Sequence, residues 1–137
     1  MADNNNLNLP FKMPPFCENM GIEVTELGED GRATLTMPYH EKLEQPYGIL
    51  HGGSLFTIAD AAAAYALAGT VERTKQFVTV EMKINFLAPV KEGIVEARAR
   101  VLKGGRVIPI DVEVFNENKL VAKAIATYII LDENRKL

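Results

Sequence analysis

Between Gly53 and Gly69 the chain runs fifteen residues, Ser54 to Ala68, with one charge, Asp60, and no Lys, Arg, Glu, Asn or Gln. As a helix this segment is about 22 Å long. Alanine, the strongest helix former, stands at 59, 61, 62, 63, 64, 66 and 68. A surface helix keeps a polar face, whereas one that is apolar all round is buried all round. The rest of the chain must therefore wrap this helix, and whatever it leaves bare must be covered by a second subunit. A chain of 137 residues is one domain with no room for two.

The wrapping layer reads as strands. Ile22 to Leu27 and Arg32 to Met37 flank Glu29-Asp30-Gly31, a hairpin signal. From Phe77 the pattern has period two: Val78, Val80, Met82, Ile84 and Phe86 take one face, and Thr79, Glu81, Lys83 and Asn85 the other. Pro89 and Gly93 close that strand. Ile94 to Lys103 follows, with Val95, Ala97, Ala99 and Val101 alternating with Glu96, Arg98 and Arg100. Gly104-Gly105 leads into Val107 to Asn116, and Asn116-Glu117-Asn118 into Leu120 to Leu131. Pro109, unable to donate to a ladder, predicts an edge or a bulge. A short entry helix, Phe16 to Met20, follows Pro14-Pro15 and stops at Gly21. The expected fold is α+β: six antiparallel strands around one long helix, in a single domain 1–137 whose first twelve residues are flexible.

Composition removes several functions. Fifteen basic against 18 acidic side chains leave a net charge of −3, so no positive field draws the chain to nucleic acid or anionic lipid. The longest apolar run, Ala61 to Ala68, is far too short for a membrane span. Cys17 is the single cysteine, which excludes an intrachain disulfide and fits a reducing, cytoplasmic setting. With His40 and His51 the only histidines, no metal site is expected. MADNNNLNLP has no basic n-region or apolar h-region, so a secretory signal is not expected.

Two features carry chemistry. Asp60 lies past the first helical turn, where a macrodipole role would place it. A carboxylate in such surroundings is either satisfied by hydrogen bonds or tuned by desolvation toward general-base or nucleophilic work. Upstream, Tyr47-Gly48-Ile49-Leu50-His51-Gly52-Gly53 enters the helix. Unpaired N–H groups at a helix start suit an oxyanion, and glycine lets a substrate approach them. Ser54 beside His51 suggests a nucleophile, but the G-x-S-x-G setting is missing and a capping or first-turn serine is the simpler reading. Cys17 reads as a small buried filler.

The segment from Gln45 through His51-Gly52-Gly53 to Asp60 resembles the signature of the hotdog-fold acyl-CoA thioesterases, in the phenylacetyl-CoA thioesterase-like branch. That signature joins an H-G-G turn to an acid nine positions after the histidine. The resemblance runs from about Phe16 to Leu131 and includes Asn85-Phe-Leu-Ala-Pro89. It implies the hotdog fold, with the helix as sausage and the sheet as bun, and sites shared between the subunits of a homodimer or homotetramer.

Carried over by residue, the resemblance implies that the Gly52 amide polarises the thioester carbonyl and that His51 assists its positioning. Asp60 would activate water as a general base or attack directly to form a mixed anhydride. Gln45 stands where many relatives have Asn, and Thr79 where some place a Ser or Thr that orients water. By strict alternation Thr79 faces away from the helix, so a bulge or a contribution across the dimer is required. Gly53, Ala61, Ala64 and Tyr65 are expected to meet the acyl group, with Lys91, Lys103 and Arg106 near the CoA phosphates. No separate cofactor is implied, since CoA is part of the substrate. The alternatives are a non-catalytic acyl-CoA-binding or sensing hotdog protein, or a hotdog hydratase or dehydratase.

Overall fold

The computed structural model describes residues 7–137. Within it the elements are α1 (Pro15–Glu18), β1 (Glu23–Leu27), β2 (Arg32–Pro38), α2 (Gly52–Ala68), β3 (Phe77–Phe86), β4 (Ile94–Val101), β5 (Val107–Asn116) and β6 (Lys119–Ile130), with single 3-10 turns at Glu41–Leu43 and Glu133–Arg135. The six strands form one antiparallel sheet in the order β1-β2-β4-β5-β6-β3. The hairpin between β1 and β2 turns at Gly31, whose φ of +86° only glycine adopts readily. A β-bulge between Val24 and Glu26 interrupts that pairing.

The inner face follows from register. Leu35 pairs with Ala97, Ala97 with Val114, Val114 with Ala122 and Ala122 with Phe86. One row along, Ala33, Ala99, Val112, Ala124 and Ile84 repeat the sequence of partners. β4 and β6 thus present alanines on either side of the valines of β5, and apart from Ile84 and Phe86 of β3 these rows are buried against α2. Small side chains let the helix settle close to the sheet, so burial comes from contact area and not from large residues. Ile58, Ala59, Ala62, Ala63, Tyr65, Ala66 and Leu67 of α2 have no solvent exposure.

Four points of the sequence reading gain detail. α2 begins at Gly52, so the two glycines form its first turn and not a linker before it. Within one chain the wrap leaves one side of the helix open, the side the sequence assigns to a second subunit: Gly53 and Phe56 are exposed, and Thr57, Asp60, Ala61 and Ala64 only half-buried. They recur at three- and four-residue spacing and make one open stripe. Pro109 sits in a central strand, not at an edge. Its carbonyl accepts from the Leu102 N–H at 3.0 Å, so its ring nitrogen faces Leu102, one residue past the end of β4, and the bond it cannot donate falls where that ladder stops. The expected flexible stretch 1–12 divides in two: 1–6 lies outside the described residues, and 7–12 packs on the domain. Leu7, Leu9 and Phe11 lie against the core, and the Phe11 ring stacks on Tyr65 at 4.1 Å between centroids. Tyr65 Oη donates to the Phe11 carbonyl at 3.2 Å, and Arg73 Nη1 to that of Leu9 at 2.9 Å.

Candidate active site

α2 carries two distinct polar stations. At its start His51 is the N-cap: its Nδ1 accepts the Gly53 N–H at 2.7 Å. An accepting Nδ1 leaves Nε2 as the N–H of the exposed ring. The Gly53 donor expected to meet substrate is therefore already used by its own neighbour. The Gly52 N–H, by contrast, has no acceptor among the described residues, as the first turn of a helix leaves it. The Phe86 ring lies over Gly52, and a Cβ there would stand 3.1 Å from its tip. Gln45 joins Gly52, Leu55, Phe86 and Val90 around a cleft of about 410 Å³. The Gln45 side-chain oxygen accepts the Tyr47 N–H, and its amide nitrogen is the group left for that cleft.

Ser54 is buried in the first turn, its hydroxyl donating to the Leu43 carbonyl at 3.3 Å. That hydroxyl makes no hydrogen bond to the His51 ring, so the two do not form a nucleophile–base pair.

The second station is Asp60, midway along α2. The expected face of β3 breaks at a bulge between Thr79 and Glu81. Beyond the bulge, Met82, Ile84 and Phe86 pair with the inner-face alanines of β6. Before it, Val78 pairs with Ile129 and Thr79 with Tyr128. Since Tyr128 continues the inner row of Ala122, Ala124 and Ala126, the bulge turns Thr79 inward and Val78 outward. Thr79 Oγ1 donates to Asp60 Oδ1 at 2.9 Å. This contact forms within one chain. Tyr128 Oη donates to the same oxygen at 2.6 Å and lies 2.9 Å from the Asp60 carbonyl.

Tyr128 escaped the sequence reading. The available signal was its phase: an inner-face tyrosine after three alternate alanines must bury a hydroxyl, and a buried hydroxyl finds a partner. Burial first, and then the Asp60 charge, push its phenol well above the ordinary tyrosine range.

Asp60 opens into a cleft of about 340 Å³ lined by Phe11, Phe16, Cys17, Phe56, Ala61, Ala64 and Tyr65 among others. Ala61, Ala64 and Tyr65 thus do meet around Asp60, with the N-terminal segment as the facing wall. The three expected cations do not meet. Lys91 follows Val90, whose carbonyl accepts the Leu50 N–H just ahead of α2. Lys103 and Arg106 belong to the β4–β5 turn, beyond the ladder end where Val101 bonds Gly31; the β1–β2 loop there touches the far end of α2 at Gly69. Arg106 is also paired with Asp132 at 3.4 Å.

A six-stranded antiparallel sheet wrapped around one long helix is the hotdog fold of the thioesterases. Residues 47–123 match the thioesterase superfamily. A protein of Saccharolobus solfataricus is 37% identical over 135 residues, covering 97% of this chain and 89% of its own. The 1,4-dihydroxy-2-naphthoyl-CoA hydrolase of Listeria monocytogenes is 34% identical over 89 residues, covering 65% of this chain and 72% of that enzyme. Among solved structures, a conserved protein of Pseudomonas aeruginosa superposes with a TM-score of 0.84 at 35% identity, over 87% of this chain and 95% of that one. A variant of the phenylacetic acid degradation protein PaaI of Thermus thermophilus gives a TM-score of 0.79 at 30% identity, over 86% and 100%. The chain belongs to the thioesterase superfamily, in its hotdog-fold branch with these proteins.

Proposed function

We propose that the protein hydrolyses acyl-CoA thioesters to a free acid and CoA, with Asp60 as the reacting carboxylate and the Gly52 amide as the oxyanion donor. The observation that carries this reading is Asp60 itself. A charged group on an otherwise apolar helix costs stability, yet this one is held in a fixed orientation and lines a cleft walled by apolar side chains. The Listeria relative that acts on a CoA thioester supports CoA as the leaving group.

Gly52 and Asp60 are eight residues apart on one helix, about 12 Å along its axis, and they line different clefts. No single thioester carbon reaches both within one chain. A site using both therefore joins Gly52 of one subunit to Asp60 of another, and the open stripe of α2 is the surface available for that pairing. In the reaction, the carbonyl oxygen takes on charge against the Gly52 N–H. Asp60 either removes a proton from water as the water oxygen bonds to carbon, or bonds to that carbon itself and is released by water in a second step. Either way the C–S bond breaks and the sulfur leaves as a thiolate, which takes up the proton. His51 caps the donor turn, and the Gln45 amide faces the same cleft. Lys91, Lys103 and Arg106, lying at opposite ends of one chain, serve the CoA phosphates only if different subunits supply them. Cys17 as a buried free thiol fits a cytoplasmic enzyme.

The test is CoA release from a panel of aryl- and alkyl-CoA thioesters, with Asp60→Asn in parallel and light scattering on the same sample. Turnover by a dimer or larger oligomer, lost in the variant, is expected. A stable monomer at micromolar concentration overturns the shared site, and absence of CoA release from every thioester overturns the activity.

A further inference from the structure

The Asp60 carboxylate is held by one oxygen only. Thr79 and Tyr128 both donate to Oδ1, at 2.9 and 2.6 Å, and no hydrogen bond among the described residues reaches Oδ2. The two donors come from directly paired positions of β3 and β6, so the sheet and not the helix fixes the group. Tyr128 is 2% exposed, its ring meets Phe77 at 5.9 Å between centroids, and its hydroxyl also reaches the Asp60 main-chain carbonyl at 2.9 Å. One phenol thus spans the side chain and the backbone of a single residue. Because burial holds this phenol in its protonated form, it stays a donor throughout.

We infer that Tyr128 is a positioning residue for thioester hydrolysis: with Thr79 it ties Oδ1 to the sheet and reserves Oδ2 as the reacting oxygen. This rests on the reading of Asp60 as the reacting carboxylate. Two donors on Oδ1 occupy its lone pairs and oppose rotation of the carboxylate, whereas the lone pairs of Oδ2 stay free to take a proton or to attack. Tyr128 itself exchanges no proton. Its contribution is orientation, and misplacing a reacting group by about 1 Å costs up to about a hundredfold in rate.

The experiment compares wild type, Tyr128→Phe and Asp60→Asn in steady-state kinetics and thermal melting. Tyr128→Phe keeps the ring against Phe77 and leaves Thr79 on Oδ1. Its kcat is expected to fall on the order of ten- to a hundredfold, at little-changed KM and melting temperature. A merely structural tyrosine would move the melting temperature and leave kcat alone. A folded Tyr128→Phe with wild-type kcat, or with a raised KM at full kcat, overturns the inference while an inactive Asp60→Asn keeps the thioesterase reading intact. Wild-type turnover in Asp60→Asn removes that reading first, whatever Tyr128 does. A crystal structure of the wild-type protein with a non-hydrolysable thioether analogue of acyl-CoA does not depend on the variants folding. Oδ2 is expected to face the carbon that replaces the carbonyl, either directly at about 3–3.5 Å or across one bridging water, and Oδ1 in that place overturns the inference.

Discussion

The start and the middle of α2 are built by opposite strategies. At the start, the His51 ring accepts an N–H two residues away, so the donor turn is assembled from a few consecutive residues. At the middle, Asp60 is anchored by Thr79, nineteen positions on, and by Tyr128, sixty-eight positions on. The first station offers a backbone group whose direction the helix fixes; the second offers a side chain whose direction only the closed sheet can fix. A local device survives wherever the helix forms, whereas a carboxylate on a flexible side chain needs the tertiary fold to aim it.

Variants at the two stations sharpen that contrast. Asp60→Asn should have the largest effect, a loss of about 10²–10⁴ in kcat with acyl-CoA binding retained by calorimetry. The amide keeps the shape but can neither take a proton nor attack. Gly52→Val should follow, lowering kcat/KM about 10²–10³, because its Cβ presses on the Phe86 ring and the side chain covers the donor. Circular dichroism checks that the chain still folds. An active Gly52→Val would dissolve the contrast and return the backbone station to a structural role.

His51→Ala removes a cap and should cost about 1 kcal/mol in urea denaturation, with a smaller loss of activity than Gly52→Val. The freed Gly53 N–H then competes with that of Gly52.

Alkali acts on a third region, the packed N-terminal segment. Burial pushes the Tyr65 phenol up to about 12. Below pH 10 the phenol is protonated whether the chain is folded or not, so its contribution is constant. Between pH 10 and 12 the unfolded chain ionises first, and folding stability should fall as pH rises. Denaturation at pH 9 and 11 should show a smaller loss in Tyr65→Phe than in wild type. Ser54→Ala should have the least effect on turnover, because its hydroxyl serves only the Leu43 carbonyl; a dead variant would revive a serine mechanism at the donor turn.

The same contrast explains how much could be read from the sequence. The helix, its bracketing glycines, the donor turn and the six strands depend on neighbours in the chain, and their patterns of apolar residues and turn signals are local. The cap could not be seen in advance, because histidine caps helices less often than serine, and Ser54 offered the more familiar chemistry. Asp60 stood out as a charge in an apolar run; of its partners, Thr79 was named only through the resemblance and on condition of a bulge or a dimer contact, and Tyr128 was missed. Thr79 lay on the wrong side by strict alternation until the bulge reversed the phase of β3. Tyr128 looked like one more strand tyrosine. Lys91, Lys103 and Arg106 looked like a set only because nothing in a linear pattern shows that two loops lie at opposite ends of a sheet.

What the sequence alone determined is what short-range physics controls: an alanine-rich helix that must be wrapped, alternating strands able to wrap it, and a glycine turn that bares a backbone donor. Only the tertiary structure decided which oxygen of Asp60 is held, which face of the helix stays open, and how the N-terminal segment closes on Tyr65. Those outcomes depend on a one-residue bulge and on the register between β3 and β6. A shift of one position turns every later side chain to the other face, and the energy that fixes the register is spread over the whole packed sheet.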